Sequence, residues 1–145
     1  MAENDRFARA VQVVARGLGR IGRERARSGE VTPQQAETLQ LIAEKGAVST
    51  SQLAVILGID PSTASRNLAG LEEKGYVQRK KGTEDGRQTD IRLTPKGKRL
   101  ADLATQGANQ AFSTLLDRLP RNERQRVTDA LELVARAIDG ESLER

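Results

Sequence analysis

Between Thr50 and Lys74 the chain reads TSQLAVILGIDPSTASRNLAGLEEK, and no other stretch restricts the fold so tightly. Leu53, Ala54 and Leu57 fall on one helical face, as do Ala64, Leu68 and Leu71, and Gly58-Ile59-Asp60 separates the two sets. A glycine lets the backbone turn where a side chain would resist. Pro61, with no amide hydrogen to lose, suits the first position of the second helix. Two short amphipathic helices joined in this way make a helix-turn-helix, with the small Ala54 at the crossing. The outward face of the second helix carries Ser62, Thr63, Ser65, Arg66 and Asn67. Short hydrogen bonders with one arginine suit phosphate contacts and base-edge readout in a major groove.

Many helical hairpins share such a pattern, so the next segment of the chain is decisive. Residues 76–81 and 88–93 alternate as two short strands around the glycine-bearing tip 82–87, which predicts a β-hairpin. A hairpin directly after a helix-turn-helix makes a winged helix-turn-helix. The whole chain carries a formal net charge of +4, but residues 62–99 hold ten basic and five acidic groups. A local basic excess is the footprint of a polyanion partner, here double-stranded DNA. Lys80 and Lys81 on the wing would meet phosphates, or else merely solvate an edge strand.

The four prolines mark helix starts. Thr32-Pro33, Asp60-Pro61 and Thr94-Pro95 each pair a good N-cap with proline, and Pro120 precedes an amphipathic run. Ser49-Thr50-Ser51-Gln52 is a capping box, with Val48 and Leu53 placed as a hydrophobic staple. Six helices are expected, at about 5–27, 33–44, 50–57, 61–74, 95–118 and 121–139. The first carries Phe7, Val11, Val14, Leu18 and Ile21 at heptad spacing, and the last carries Val127, Leu131, Val134 and Ile138. These seams read either as intramolecular core or as a subunit interface. The expected division is a helical dimerisation region, 1–32 and 95–145, around a DNA-binding lobe, 33–94.

With no cysteine and no histidine, thiol and imidazole chemistry, disulfides and zinc sites built on those residues are excluded. The acidic pairs Glu72-Glu73 and Glu84-Asp85 fall at a helix end and a loop tip, so no carboxylate dyad is expected. An enzyme is therefore the weakest class, and no metal or other cofactor is expected. The longest apolar run, Leu53–Leu57, is far short of a membrane span, and the first residues lack an apolar signal core. A cytoplasmic location is expected.

In this order the motifs resemble the multiple-antibiotic-resistance regulator (MarR) family. The matching residues are Asp60-Pro61-Ser62-Thr63-Ala64-Ser65-Arg66, Lys74-Gly75-Tyr76-Val77, Asp85-Gly86-Arg87 and Leu93-Thr94-Pro95-Lys96-Gly97. The resemblance implies a mainly α fold with a small β-hairpin and a homodimer built from the first, fifth and sixth helices. It implies a recognition helix in the major groove and a wing arginine, Arg87, in the minor groove. Ser62, Thr63, Ser65 and Arg66 would be the groove or phosphate contacts, and a small-molecule effector is often bound. The expected function is a sequence-specific repressor. The alternatives are a winged-helix module that binds protein, or a low-specificity architectural DNA binder.

Three positions call for a reading of their own. Asp85 would shape the wing turn or pair with Arg87 or Arg79, unless it is a solvated loop acid. Val55 and Ile56 lie where the family often has polar residues, and read as extra core or as a ligand or partner patch. Phe7, Val11, Leu103 and Phe112 are the candidate lining of a pocket for a neutral or anionic effector.

Overall fold

The computed structural model describes residues 2–25, 31–81 and 89–140. They form α1 (Glu3–Arg25), α2 (Pro33–Lys45), α3 (Thr50–Leu57), α4 (Pro61–Glu73), β1 (Val77–Lys81) and β2 (Thr89–Leu93). After these come α5 (Pro95–Asp117), a single 3-10 turn (Arg121–Glu123) and α6 (Arg124–Ile138). The fold is thus the mainly helical one with a hairpin that the sequence implies. No helix among the described residues is long and apolar enough to cross a membrane. The chain divides into two compact units, Met1–Ala108 and Asn109–Arg145.

Side chains set most of the helix starts in the first unit. Thr32 Oγ1 accepts from the Gln35 amide while Gln35 Oε1 accepts from the Thr32 amide, both at 3.1 Å. Ser49 and Gln52 repeat this box at α3, at 3.1 and 2.9 Å. Each box satisfies two amides that a helix start otherwise leaves open. At α4 the expected cap is only half realised. Asp60 occupies the N-cap position, but its side chain makes no cap bond. Pro61, with its φ fixed near the helical value, starts that helix instead. Gly58 ends α3 in the left-handed region, at φ 65°, where a side chain would be strained.

The core of this unit joins the helix-turn-helix to the wing. Leu39 and Ile42 of α2, Leu53 of α3, Leu68 and Leu71 of α4 and Ile91 of β2 are fully buried. Burying a side chain of this size is worth about 1.5–3 kcal/mol. The strands pair antiparallel, with Val77 opposite Leu93, Arg79 opposite Ile91 and Lys81 opposite Thr89. Val77, Ile91 and Leu93 turn inward, as does Tyr76 just before β1. Val48 is more than a staple. It exchanges two backbone hydrogen bonds with Ile91, at 3.1 and 2.7 Å, as a third, one-residue strand. That bridge fixes the start of α3 to the base of the wing.

Val55 and Ile56 are not core. On α3 the inward face is taken by Leu53 and Ala54, so Val55, on the opposite side, is 81% exposed and its neighbour Ile56 is 51% exposed. The seam of α1 is not an intramolecular core either: no described side chain of that helix is buried, and Phe7 is 59% exposed.

In the second unit, α5 ends at Asp117 and Arg124 closes it. The Arg124 guanidinium donates to the Leu119 carbonyl at 3.1 Å and to the Asp117 carbonyl at 3.3 Å. A cation is well placed at a helix C-terminus. Pro120 does precede a helical run, but the first turn, Arg121–Glu123, is 3-10 and α6 begins only at Arg124. No residue of α6 is buried, and Leu131, Leu133, Val134 and Ile138 all lie open. A unit this small, with no buried side chain among its described residues, has no core of its own to hold it.

Candidate nucleic-acid interface

The buried stripe Ala64, Leu68 and Leu71 seats α4 and thereby fixes which side chains face outward. Ser62, Ser65 and Arg66 are exposed, and Thr63 is half-buried. Arg66 Nη2 donates to Thr63 Oγ1 at 3.3 Å, one turn back on the same helix. That bond directs the guanidinium along the open face and leaves most of its donors available. The four residues form one polar strip, as the helix pattern predicts.

Asn67 behaves differently. Its Nδ2 donates to Gln34 Oε1 at 2.8 Å, in a partly buried contact with the first turn of α2. It belongs to the support of the recognition helix as much as to its outward strip.

On the wing, Lys80 and Lys81 are exposed on β1, with Asp90 and Thr89 as their cross-strand neighbours. Arg79, one of the two arginines named as a possible partner of Asp85, pairs with Glu72. Arg79 Nε lies 2.9 Å from Glu72 Oε2, joining the last turn of α4 to β1. Both side chains are well exposed, so the pair is worth at most about 1 kcal/mol. Its value is orientation, since it ties the wing to the recognition helix. Asp85 and Arg87 lie outside the described residues.

A second tie runs from the hairpin to α5. Thr94 Oγ1 donates to the Gly75 carbonyl at 2.6 Å and accepts from the Gly97 amide at 3.1 Å, and the Thr94 amide donates to the Tyr76 carbonyl at 3.0 Å. Lys96 Nζ donates to the Lys74 carbonyl at 3.0 Å and lies 4.8 Å from the centre of the Tyr76 ring. Lys96 thus serves the C-terminal end of α4, where its charge suits the helix dipole. Neither this junction nor the roles of Gln34 and Glu72 can be read from local spacing. The one signal is Thr94-Pro95-Lys96-Gly97, which reads only as a helix start.

Of the candidate effector residues, Phe7, Val11 and Leu103 are exposed in the first unit and Phe112 in the second. A groove of about 540 Å³ in the first unit has other walls, among them Ile42, Gly46, Gln78, Arg92, Lys98 and Asp102. Its charged rim is exposed to solvent. Among the described residues no three acidic side chains gather in a way that could hold a metal ion.

Residues 31–89 match the model of the MarR family. An HTH-type transcriptional regulator of Mycobacterium tuberculosis is 28% identical over 140 residues, covering 96% of this chain and 98% of its own. Among solved structures, wild-type MarR of E. coli in its apo form superposes with a TM-score of 0.78 at 23% identity, covering 88% of this chain and 94% of that one. FabT of Streptococcus pneumoniae, solved in complex with DNA, gives a TM-score of 0.76 at 19% identity, covering 95% and 99%. The matched segment spans the helix-turn-helix and β1, the elements that carry the polar strip, and over it this chain is similar to the MarR family.

Proposed function

We propose that the chain is a sequence-specific DNA-binding transcriptional regulator, acting as a homodimeric repressor whose operator is a pseudo-palindrome. The observation that carries this reading is the strip Ser62, Thr63, Ser65 and Arg66, held outward on a helix whose other face is core. Hydroxyls and one guanidinium on a rigid helix can read base edges, while Lys80 and Lys81 on the adjoining strand meet phosphates. The M. tuberculosis relative is itself named a transcriptional regulator, and FabT was solved on DNA, which supports the same partner here. Arg87 of the wing tip is assigned the minor-groove contact, and Asp85 the shaping of that tip.

The dimer is inferred from the apolar faces that the helices leave open. Neither α1 nor α6 buries a described side chain, and an apolar face of that length stays soluble only when something covers it. A second copy offers the same heptad seams. On this reading segments 1–32 and 95–145 make the dimerisation region, and 33–94 the DNA-binding lobe. Release by a neutral or anionic small molecule meeting Phe7, Val11 or Leu103 belongs to the same reading, as does a place in the cytoplasm, where the DNA is. Selection from a random duplex pool should enrich an inverted repeat. Enrichment of no sequence, or of a single half-site, would contradict the reading.

A further inference from the structure

Asn67 comes directly after Arg66 on the recognition helix, yet its Nδ2 donates inside the protein. The bond from Asn67 Nδ2 to Gln34 Oε1, at 2.8 Å, spans 33 residues of sequence. Its surroundings are tightly constrained. Gln35, next on α2, is locked in the capping box with Thr32, and its Nε2 occupies the space beside Gly70, where a Cβ would come within 3.0 Å. Asn67 and Gly70 are three residues apart and share one face of α4. The crossing of α2 and α4 is thus polar on this side, with Gln34 against Asn67 and Gln35 against Gly70. One turn further along α2 the buried Thr38 hydroxyl donates to the Gln34 carbonyl at 2.8 Å, which steadies the backbone that carries Gln34.

The adjoining face of α4 is held by Ala64, Leu68 and Leu71, which are apolar and non-directional. Apolar packing sets how deep a helix lies. It resists a small rotation about the helix axis less sharply than a hydrogen bond, which weakens steeply as its angle worsens. With side chains an α-helix has a radius of about 5–6 Å, so a rotation of about 20° moves an outward tip by about 2 Å. That is enough to break a bidentate contact to a base.

We propose that Gln34 is a specificity-determining positioning residue. Its hydrogen bond to Asn67 sets the rotation of the recognition helix, and so the register in which Ser62, Ser65 and Arg66 meet the bases. Gln34 touches no DNA in this scheme, and Asn67 acts through Gln34. The inference rests on the proposed DNA-binding function.

The test uses the full chain, the duplex recovered by selection and a scrambled duplex of the same composition. Gln34→Met keeps the shape and removes the acceptor. It should lower the ratio of specific to scrambled affinity about tenfold, the scale of one base contact. Scrambled-DNA affinity and its salt slope should not change, because no phosphate contact is lost. Gln34→Glu keeps an acceptor for Asn67 and should retain the ratio. Asn67→Ala should reproduce the loss, and the double variant Gln34→Met with Asn67→Ala should lose no more than either alone. Circular dichroism of each variant checks the fold, and if Gln34→Met unfolds, the Gln34→Glu and Asn67→Ala pair decides. A ratio untouched by Gln34→Met, a ratio lost in Gln34→Glu, or additive losses in the double variant would overturn the inference while the DNA reading stands. A wild-type protein that binds both duplexes alike would overturn both.

Discussion

Gly97 leaves no room for a side chain, because a Cβ there would overlap the carbonyl of Tyr76. The obstacle is backbone, which cannot swing aside as a side-chain tip can. Thr94 fixes the same junction from the other direction, through Gly75 and the Gly97 amide. Gly97→Ala should therefore destabilise the protein by about 1–3 kcal/mol, the cost of overpacking a tight contact. Thr94→Val, which loses the cap and the bond to Gly75, should cost about 1 kcal/mol. Urea unfolding at one fixed protein concentration measures both.

The exposure of Val55 and Ile56 separates them from their neighbour Leu53, although all three lie in one apolar run. Val55→Lys should change stability by no more than about 0.5 kcal/mol, as surface substitutions do. Leu53→Ala, a truncation in the core, should cost about 2–5 kcal/mol. Equal losses in the two variants would return Val55 to the core.

Features governed by local chemistry are legible in the sequence. Thr32 with Pro33, Ser49 with Gln52 and Gly58 announce their helix ends within four residues, and the structure places them so. The inward stripe of α4 comes from periodicity alone. Val55 and Ile56 mislead because a run of five apolar residues contains more hydrophobic side chains than one helical face can bury. Pairings between distant segments are not legible. Glu72 with Arg79, Gln34 with Asn67 and Val48 with Ile91 depend on how elements cross, and no local signal encodes that. The polar strip is legible as a face, but its edge is not: Asn67 sits where outward turns to inward.

Arg66 and the wing lysines should differ in their contributions. Arg66→Ala should reduce discrimination between the selected and scrambled duplexes by about 1–3 kcal/mol, the worth of a bidentate base contact. Lys80→Ala or Lys81→Ala should weaken both duplexes alike and make log affinity fall less steeply with log salt. Fluorescence anisotropy at several salt concentrations distinguishes the two. A salt-slope change with unaltered discrimination in Arg66→Ala would make Arg66 a phosphate contact.

The sequence contains no cysteine, so no thiol is available to sense oxidants. DNA affinity should be the same before and after treatment with diamide, measured on the same duplex. Reversible loss of binding under diamide would contradict this.

The self-association of the chain should be visible without DNA. In the proposed homodimer a second copy covers the seams of α1 and α6, so light scattering at micromolar concentration should give about twice the mass of one chain. Val14→Glu, at the middle of the α1 seam, should shift the mass toward that of the monomer. A wild-type protein that stays monomeric would leave the two faces without their proposed cover.

Sequence-specific recognition itself is tested most directly by equilibrium titration of the purified protein on the selected duplex and on its scrambled counterpart, at physiological salt. We expect the selected site to bind at least about a thousandfold more tightly, with protection at two half-sites about 34–36 Å apart along the duplex. Equal affinity for both duplexes, falling in parallel as salt is raised, would contradict it and leave only phosphate contact.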